Sequence, residues 1–518
     1  MNQLKRILCF LLAAMMLFAL AACGGGETTA PSEDKEALAE AARNTIAITI
    51  GDHNLNAVEV NYYYVETINN FVNQYSAYIS YFMDVTKPLD QQKCTLDETK
   101  TWAQYFMSIA QDNIKSTYML CDLAAQNGYT LPENERAYLG QMKSAIEQYA
   151  TYYKYESANA YLVDVFGYGA DMDSYLAYTE RALLADSYYA YYAENLSYDD
   201  ATLREYEAKE PHMYNSYSYV TYYLACTKFL TGGSEDADGN KTYTDEQKAA
   251  AVEAATEAAN ALLSNTCTNV DEFKAMILGM EVHADLDSVA VKENTDVFFN
   301  SADKFFQEWF KEEERTIGQL AVIPKVSSVD DGEVIEGYYI LWFSGINDNK
   351  FAMKDVRHLL VLFKDANGKT YSDGVYTFTD EQKATAKATA DALLAQWLDG
   401  DADEVTFSAL ATLKSEDEGS KLKGGLYQNI YPGQMVTNFE NWCYDETRVP
   451  GDYGIVETEY GYHLMYFVGN TEMNYRDYII TNVMRKEDIQ KWHDDLLAAA
   501  VLTEVNLEFC ELDMVLSG

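Results

Sequence analysis

Positive charge is what this chain has least of. Thirty-eight lysines and arginines stand against 82 aspartates and glutamates, a formal net charge of −44 over 518 residues. Such a surface repels phosphate backbones and anionic headgroups, which excludes nucleic acid as a partner. Histidines number only six. The sequence has no H-E-x-x-H, no C-x-x-C, no Walker or G-x-G-x-x-G loop and no G-x-S-x-G elbow. Those absences remove the zinc-protease, dithiol, nucleotide-binding and serine-hydrolase readings, and no cofactor or metal is implied. Apart from Cys9 and Cys23, the cysteines (Cys94, Cys121, Cys226, Cys267, Cys443 and Cys510) are too widely spaced for a zinc site. Buried free thiols are the default reading for them. Only one apolar run is long, Ile7 to Leu20, and it is short for a membrane span.

What the chain does have is length and aromatic surface. At 518 residues it exceeds one core, and three or four units are expected. Its 43 tyrosines combine contact area with a polar tip. They suit either core and surface positions of many helices or half-wet clefts that receive extended peptide.

The N-terminus reads as an export signal. Lys5 and Arg6 precede the apolar run, which ends Leu20-Ala21-Ala22-Cys23 before three glycines. This resembles the bacterial lipobox, which implies cleavage before Cys23, acylation of that cysteine and a lipid anchor outside the cytoplasm. Residues 1–23 are thus a lipoprotein signal peptide and 24–44 a flexible tether, Gly-, Thr-, Pro- and Ser-rich at its start. An exported location permits disulfides, but no pairing is legible.

From 45 to 211 the pattern is mostly helical. A short β-like piece, Ile46 to Ile50, turns at Gly51-Asp52. Val60, Tyr63, Tyr64, Phe71, Tyr75, Tyr78 and Phe82 then recur at helical steps. A second helix is predicted over Leu96 to Asn127. A third has Pro132 in its first turn and Thr130 as its cap. Breaks fall at Gly167 and Gly169, and Asp199-Asp200 opens a short helix that Glu210-Pro211 ends.

The stretch Lys354 to Gly469 carries the chemistry. It holds, in order, Arg357-His358-Leu359-Leu360-Val361, a helical run, and Ser415-Glu416-Asp417-Glu418-Gly419-Ser420. Lys423-Gly424-Gly425-Leu426, Gly433-Gln434-Met435-Val436 leading into Phe439-Glu440, and Thr458-Glu459-Tyr460-Gly461-Tyr462-His463 follow. That order resembles the parvulin family of peptidyl-prolyl isomerases. The resemblance implies an α+β domain over 350–470. It implies that Leu426, Met435 and Phe439 line a proline pocket, with His358 and His463 paired beneath it and Thr458 nearby. Asp417 is then the acid facing the reacting carbonyl. The helical region is similar in architecture to the chaperone part of extracytoplasmic foldase lipoproteins of Gram-positive type, although a generic helix bundle fits its residues equally. Tyr427 after Leu426, and Asn429 two positions on, depart from the family pattern. No basic cluster near the loop suggests a phosphorylated substrate.

Part of this stretch occurs twice. Thr244-Asp245-Glu246-Gln247-Lys248 recurs as Thr379-Asp380-Glu381-Gln382-Lys383, and Phe306-Gln307-Glu308-Trp309 as Phe439-Glu440-Asn441-Trp442. Arg315 matches Arg448, and Gly337-Tyr338-Tyr339 matches Gly461-Tyr462-His463. Residues 212–347 therefore read as a degenerate copy. Tyr339 replaces His463, the strand Ser218-Tyr219-Val220 offers no histidine, and no Gly-Gly pair matches Gly424-Gly425. Residues 471–518 form a C-terminal helical segment expected to pack back on the N-terminal region.

The fold expected is multidomain α+β: a helical chaperone-like region, two tandem parvulin-like domains and a returning helix. Two functions remain open. One is a lipid-anchored isomerase acting on X-Pro segments of unfolded exported polypeptides. The other is a non-catalytic holdase chaperone using the parvulin domains as scaffold and client surface. The oligomeric state is not legible.

Overall fold

The computed structural model describes residues 32–516 apart from 236–238, 313–314 and 330–331. The signal peptide, Cys23 and the start of the tether lie outside the described residues. The chain divides into two compact units, one formed by the residues up to Ser197 together with those from Met484 on, the other by Tyr198–Val483.

The first unit opens with helix α1 (Ser32–Asn44), which corrects the tether: its second half is helical, and Ala39 and Ala42 are buried. Strands β1 (Ile46–Ile50) and β2 (His53–Asn56) form a hairpin. Asn56 caps α2 (Ala57–Tyr75) by accepting from the Glu59 N–H. Tyr62, Tyr63 and Tyr64 are all buried, so the N-terminal half of α2 is covered on every side and is the centre of this unit. Around it stand α3 (Trp102–Gln126), α4 (Glu133–Tyr152), α5 (Ala158–Phe166) and α6 (Met172–Asn195). Thr101 and Gln104 close a capping box on α3. Pro132 takes the cap position of α4, in place of the predicted Thr130, because its ring fixes the entry angle and its missing N–H costs nothing there. α5 stops at Gly167, whose φ of +93° a side chain tolerates poorly. Tyr62 meets Phe166 (5.1 Å) and Tyr175 (5.3 Å) edge to face in the core, while Tyr78, Tyr81 and Tyr152 stay exposed, so the tyrosines serve both core and surface.

The second unit begins with α7 (Asp200–Glu207), capped by Asp199. The first parvulin-like copy follows: β3 (Ser216–Ala225), α8 (Asp245–Ala261), α9 (Val270–Leu278), β4 (Lys292–Phe298), α10 (Lys304–Phe310), β5 (Leu320–Val329) and β6 (Gly332–Asn347). Its antiparallel sheet runs β4-β3-β6-β5. The second copy comprises β7 (Ala352–Leu362), α11 (Asp380–Leu398), α12 (Glu404–Lys414), β8 (Leu426–Ile430), α13 (Thr437–Cys443), β9 (Tyr453–Glu457) and β10 (Gly461–Asn474). Its sheet, β8-β7-β10-β9, repeats the first strand for strand. In each copy the sheet is sandwiched between two helices on one face and one short helix on the other, with a core on each side.

The duplicated residues do duplicate work. Thr244 with Gln247, and Thr379 with Gln382, close identical capping boxes on α8 and α11. Arg315 lies 4.1 Å over Trp309, and Arg448 lies 4.0 Å over Trp442. Register fixes the rest. His463 pairs with Leu360 and Tyr339 with Tyr223, so Tyr339 occupies the place of His463. His358 pairs with Met465, which makes its counterpart Thr221, not a residue of the segment 218–220 as the sequence suggested.

Helix α14 (Tyr475–Ala499) continues from β10, and its residues from Met484 on belong to the first unit. Trp492 stacks on Tyr192 at 4.0 Å, and Leu496 packs with Leu120 and Tyr188. The chain then adds β11 (Leu502–Glu504) to the edge of β1, so the returning segment is a helix followed by a strand. Among the described residues all six cysteines are free, five of them buried.

Candidate functional site

His358 and His463 come from neighbouring antiparallel strands. Each sits two residues from direct pairing with the other, so both side chains point to the same face of the sheet. Both are buried, and their Nδ1 atoms lie 3.1 Å apart. His463 Nε2 is 2.9 Å from the Thr458 hydroxyl, and that oxygen accepts from the Tyr460 N–H at 3.2 Å. On the other side, His358 Nε2 is 2.9 Å from Asp417 Oδ2 and 2.9 Å from Ser420 Oγ.

The acid is held by a zippered loop. Ser415 Oγ accepts from the Leu360 N–H (3.1 Å), the Glu416 N–H donates to the Leu360 carbonyl (2.9 Å), and the Glu416 carboxylate accepts from the Leu362 N–H (2.9 Å). This fastens the loop after α12 to the end of β7 and delivers Asp417 beside His358. Oδ2 of Asp417 then accepts from the Ser420 hydroxyl, the Ser420 N–H (3.1 Å) and the Tyr427 hydroxyl (3.0 Å). Gly424 and Gly425 make the close approach possible. Their φ angles are +65° and +73°, and a Cβ on Gly425 would lie 2.0 Å from the His358 carbonyl oxygen. The His358 N–H donates to the Gly425 carbonyl at 2.8 Å.

The charges follow from these surroundings. Burial raises the Asp417 carboxyl, but hydrogen bonds from His358, Ser420 and Tyr427 outweigh it and hold the group well below the usual carboxylate range. Tyr427 moves the other way, raised by burial and by the adjacent Asp417 charge. Burial, followed by the charge of His358, lowers His463 to about 3, so it is neutral at physiological pH. Asp417 thus accepts the His358 Nε2–H. The remaining proton lies between the two Nδ1 atoms, and Thr458 completes the line at His463.

This network is part of the lining of a cleft of about 520 Å³. Met435 and Phe439 are its apolar wall, and the Phe439 ring stands edge-on to both imidazoles at 5.5 and 5.4 Å. Seven sequence-selected residues can be placed. His358, Asp417, His463, Met435 and Phe439 all face the cleft, and Thr458 lies behind His463. Leu426 does not line it. It pairs with Arg357, whose side chain reaches Glu404 of α12 on the opposite face of the sheet, because strand alternation sends successive residues to opposite faces. Tyr427 takes its place, stacked on His358 at 5.0 Å. Ser420 was not anticipated either. The signal was an aspartate followed three residues later by serine in a turn-forming loop, a spacing that invites a local side-chain bond.

Three comparisons bear on this geometry. Residues 340–470 match the family model described as the PPIC-type PPIASE domain, which covers both histidines, Asp417 and the cleft wall. Foldase protein PrsA 3 of Bacillus cereus is 33% identical over 116 residues, which are 20% of this chain and 40% of that protein. Chaperone SurA of Methylococcus capsulatus is 28% identical over 181 residues, 33% of this chain and 35% of that one. The chain thus matches less than half the length of these curated relatives. A crystal structure of the peptidylprolyl isomerase PrsA from Bacillus cereus aligns at 26% identity over 32% of this chain and 59% of its own, with a TM-score of 0.18, too low to argue from. Family model and curated relatives together make the second copy a parvulin-type domain.

Proposed function

We propose that the chain is a peptidyl-prolyl cis–trans isomerase that assists the folding of exported polypeptides at the outer face of a cell membrane, held there by a lipid on Cys23. The observation that carries this reading is the joint arrangement in the second copy: an ionised Asp417 fixed by His358, Ser420 and Tyr427 at the edge of a cleft with an apolar wall of Met435 and Phe439.

The reaction needs no covalent step. Rotation about the amide costs about 18–20 kcal/mol because resonance keeps it planar, with negative charge building on oxygen. A catalyst must bind the twisted amide better than the planar one. The proline ring packs against Met435 and Phe439, where water that stabilises the polar planar form is excluded. The carboxylate of Asp417, set near the carbonyl oxygen, repels its partial negative charge and disfavours the resonance form. Rotation removes that charge, so the carboxylate destabilises the ground state more than the transition state. His358 and His463 are positioning residues: they lock two strands and hold the acid ionised, with no proton moving to substrate. No described helix is long and apolar enough to cross a membrane, and the anchoring proposal rests on the lipobox-like residues around Cys23.

A proline-limited refolding assay on the full chain tests the activity. Acceleration that falls about a hundredfold in Asp417→Ala supports it. No acceleration by the full chain overturns it and leaves the holdase reading. Loss of labelled fatty acid in Cys23→Ser tests the anchor.

A further inference from the structure

The proline cleft does not end at the acid loop. A second cavity, of about 630 Å³, opens between α11 and the end of β7, and Leu362 and Glu416 line both. Glu416 is fixed at this junction: its carboxylate accepts from the Leu362 N–H (2.9 Å) and pairs with Lys364. The wall that α11 contributes is one stripe. Gln382, Thr385, Thr389, Leu393 and Gln396 follow one another at steps of three and four, so they share a face of the helix. All are uncharged. Thr385 and Thr389 donate their hydroxyls to the Glu381 and Thr385 carbonyls, at 2.8 and 3.1 Å, and keep lone pairs with which to accept.

The first copy supplies a control. α8 and α11 start from the same capping box, Thr244–Gln247 and Thr379–Gln382, and run on without a break, so their residues correspond one to one. Where α11 has Thr385, Thr389, Leu393 and Gln396, α8 has Ala250, Ala254, Ala258 and Ala261. Leu362 is matched by Ala225, since Leu362 pairs with Gly461 and Ala225 with Gly337. Alanine is the better helix former, so nothing in the helix itself asks for threonine or glutamine at these exposed positions. The larger and more polar stripe belongs to the copy that has the histidines and the acid. The copy without them has alanines.

We infer that this groove extends the proline cleft and binds the extended backbone of the client chain several residues away from the proline. The inference rests on the isomerase reading of the cleft. Neutral donors and acceptors suit the N–H and C=O groups of an extended chain whatever its sequence, and Leu393 offers contact to its alternate side chains. From Gln382 to Gln396 the helix rises about 21 Å, a length that an extended chain covers in about six residues. The domain would thus prefer prolines within long unfolded segments to isolated X-Pro pairs.

The test compares two prolyl substrates on the full chain, a tetrapeptide and the same peptide extended at each end by about six glycine, serine and alanine residues, the reach of the groove. The expected result is a KM about tenfold lower for the long peptide at equal kcat, the size of one or two net hydrogen bonds. Thr385→Ala with Thr389→Ala and Gln396→Ala should raise the long peptide's KM to that of the tetrapeptide. It should leave kcat, turnover of the tetrapeptide and the thermal unfolding temperature unchanged. Equal KM for the two peptides on the unaltered chain overturns the inference, as does a length preference that survives the triple substitution. Equal impairment on both peptides also overturns it, since the stripe would then be a support of the domain. If neither peptide is turned over, the isomerase reading fails, and fluorescence anisotropy decides the groove separately. The labelled long peptide should then bind about tenfold more tightly than the labelled tetrapeptide and lose that margin in the triple variant. Equal binding of the two would overturn the groove as well.

Discussion

The two parvulin-like copies keep the same frame and differ in what lies on it. Both have the same strand order, the same Thr–Gln capping boxes and the same arginine-over-tryptophan contact, at 4.1 and 4.0 Å. In the second copy His463 reaches His358 and Thr458, and Phe439 stands edge-on to it. In the first, Tyr339 takes that place. Phe306 stands edge-on to it at 5.1 Å as Phe439 does to His463, but Tyr223 at 5.1 Å and Phe305 at 5.8 Å complete an aromatic cluster. An imidazole can donate and accept at once, so it passes order from strand to strand to a carboxylate. A phenol among aromatic rings adds packing and nothing more. The comparison teaches that the frame does not depend on the site: the same strand order forms in the first copy without the polar line.

The largest expected effect tests that asymmetry directly. Asp417→Ala should lower kcat/KM for a prolyl peptide about a hundredfold, which corresponds to about 2.7 kcal/mol of transition-state stabilisation. Thr221→Ala, at the position equivalent to His358 in the first copy, should leave it within about twofold. If the two substitutions act alike, the catalytic assignment to the second copy fails.

Next in size is a pH effect on stability. His463 is lowered to about 3 by burial, then by the charge of His358, against about 6.5 in an unfolded chain. Below 6.5 the unfolded state therefore binds a proton that the folded state refuses. The stabilising contribution is complete above pH 6.5 and is lost progressively as pH falls toward 3. From pH 7 to pH 5 the second copy should lose about 2 kcal/mol from this group, at a slope approaching 1.36 kcal/mol per pH unit. Urea titrations at the two pH values measure it, and His463→Gln should remove this component. Asp417, held low, contributes no such slope in that window, since its loss begins only below the ordinary carboxylate range.

Much of this asymmetry was legible in the sequence, and the exceptions have physical reasons. The repeat, the two histidines, Asp417 and the missing histidine of the first copy were all visible as residues in order. Leu426 failed because alternation along a strand decides facing, and one residue of register moves a side chain to the other side of a sheet. The same sensitivity misplaced the counterpart of His358 among residues 218–220, where pairing gives Thr221. The helix Ser32–Asn44 was missed because Gly-, Pro- and Ser-rich composition at 24–34 was extended past its end, into residues dominated by Ala and Glu that favour helix. Ser420 was visible only as a local Asp-x-x-Ser spacing, and Tyr427 depends on the loop closing over β8, which no periodicity reports. The strand β11 is short and gains its meaning only from pairing with β1.

A smaller effect should be equal in the two copies. Arg315 and Arg448 each lie over a tryptophan and donate from Nε to its carbonyl, at 2.9 and 3.2 Å. Replacing either with methionine keeps most of the stem and removes the cation, which should cost about 1 kcal/mol. Chemical denaturation of the two variants should agree within about 0.5 kcal/mol. A much larger loss for Arg448 would mean that the frame itself has diverged and is coupled to the site.

The smallest expected effect is none, and it probes how much of the site the first copy has lost. Thr221→His with Tyr339→His restores an imidazole at each histidine position, on strands whose register already matches. Placed in the Asp417→Ala background, this double substitution should return no isomerase activity. Two histidines alone supply neither the carboxylate nor the loop that the Gly424-Gly425 turn lets approach the strand. The imidazoles would also enter a space now ringed by Tyr223, Phe305 and Phe306. The same refolding assay measures it. A recovery to even a tenth of the unaltered rate would show that the histidine pair is sufficient, and would reduce Asp417 from the centre of the mechanism to one of its supports.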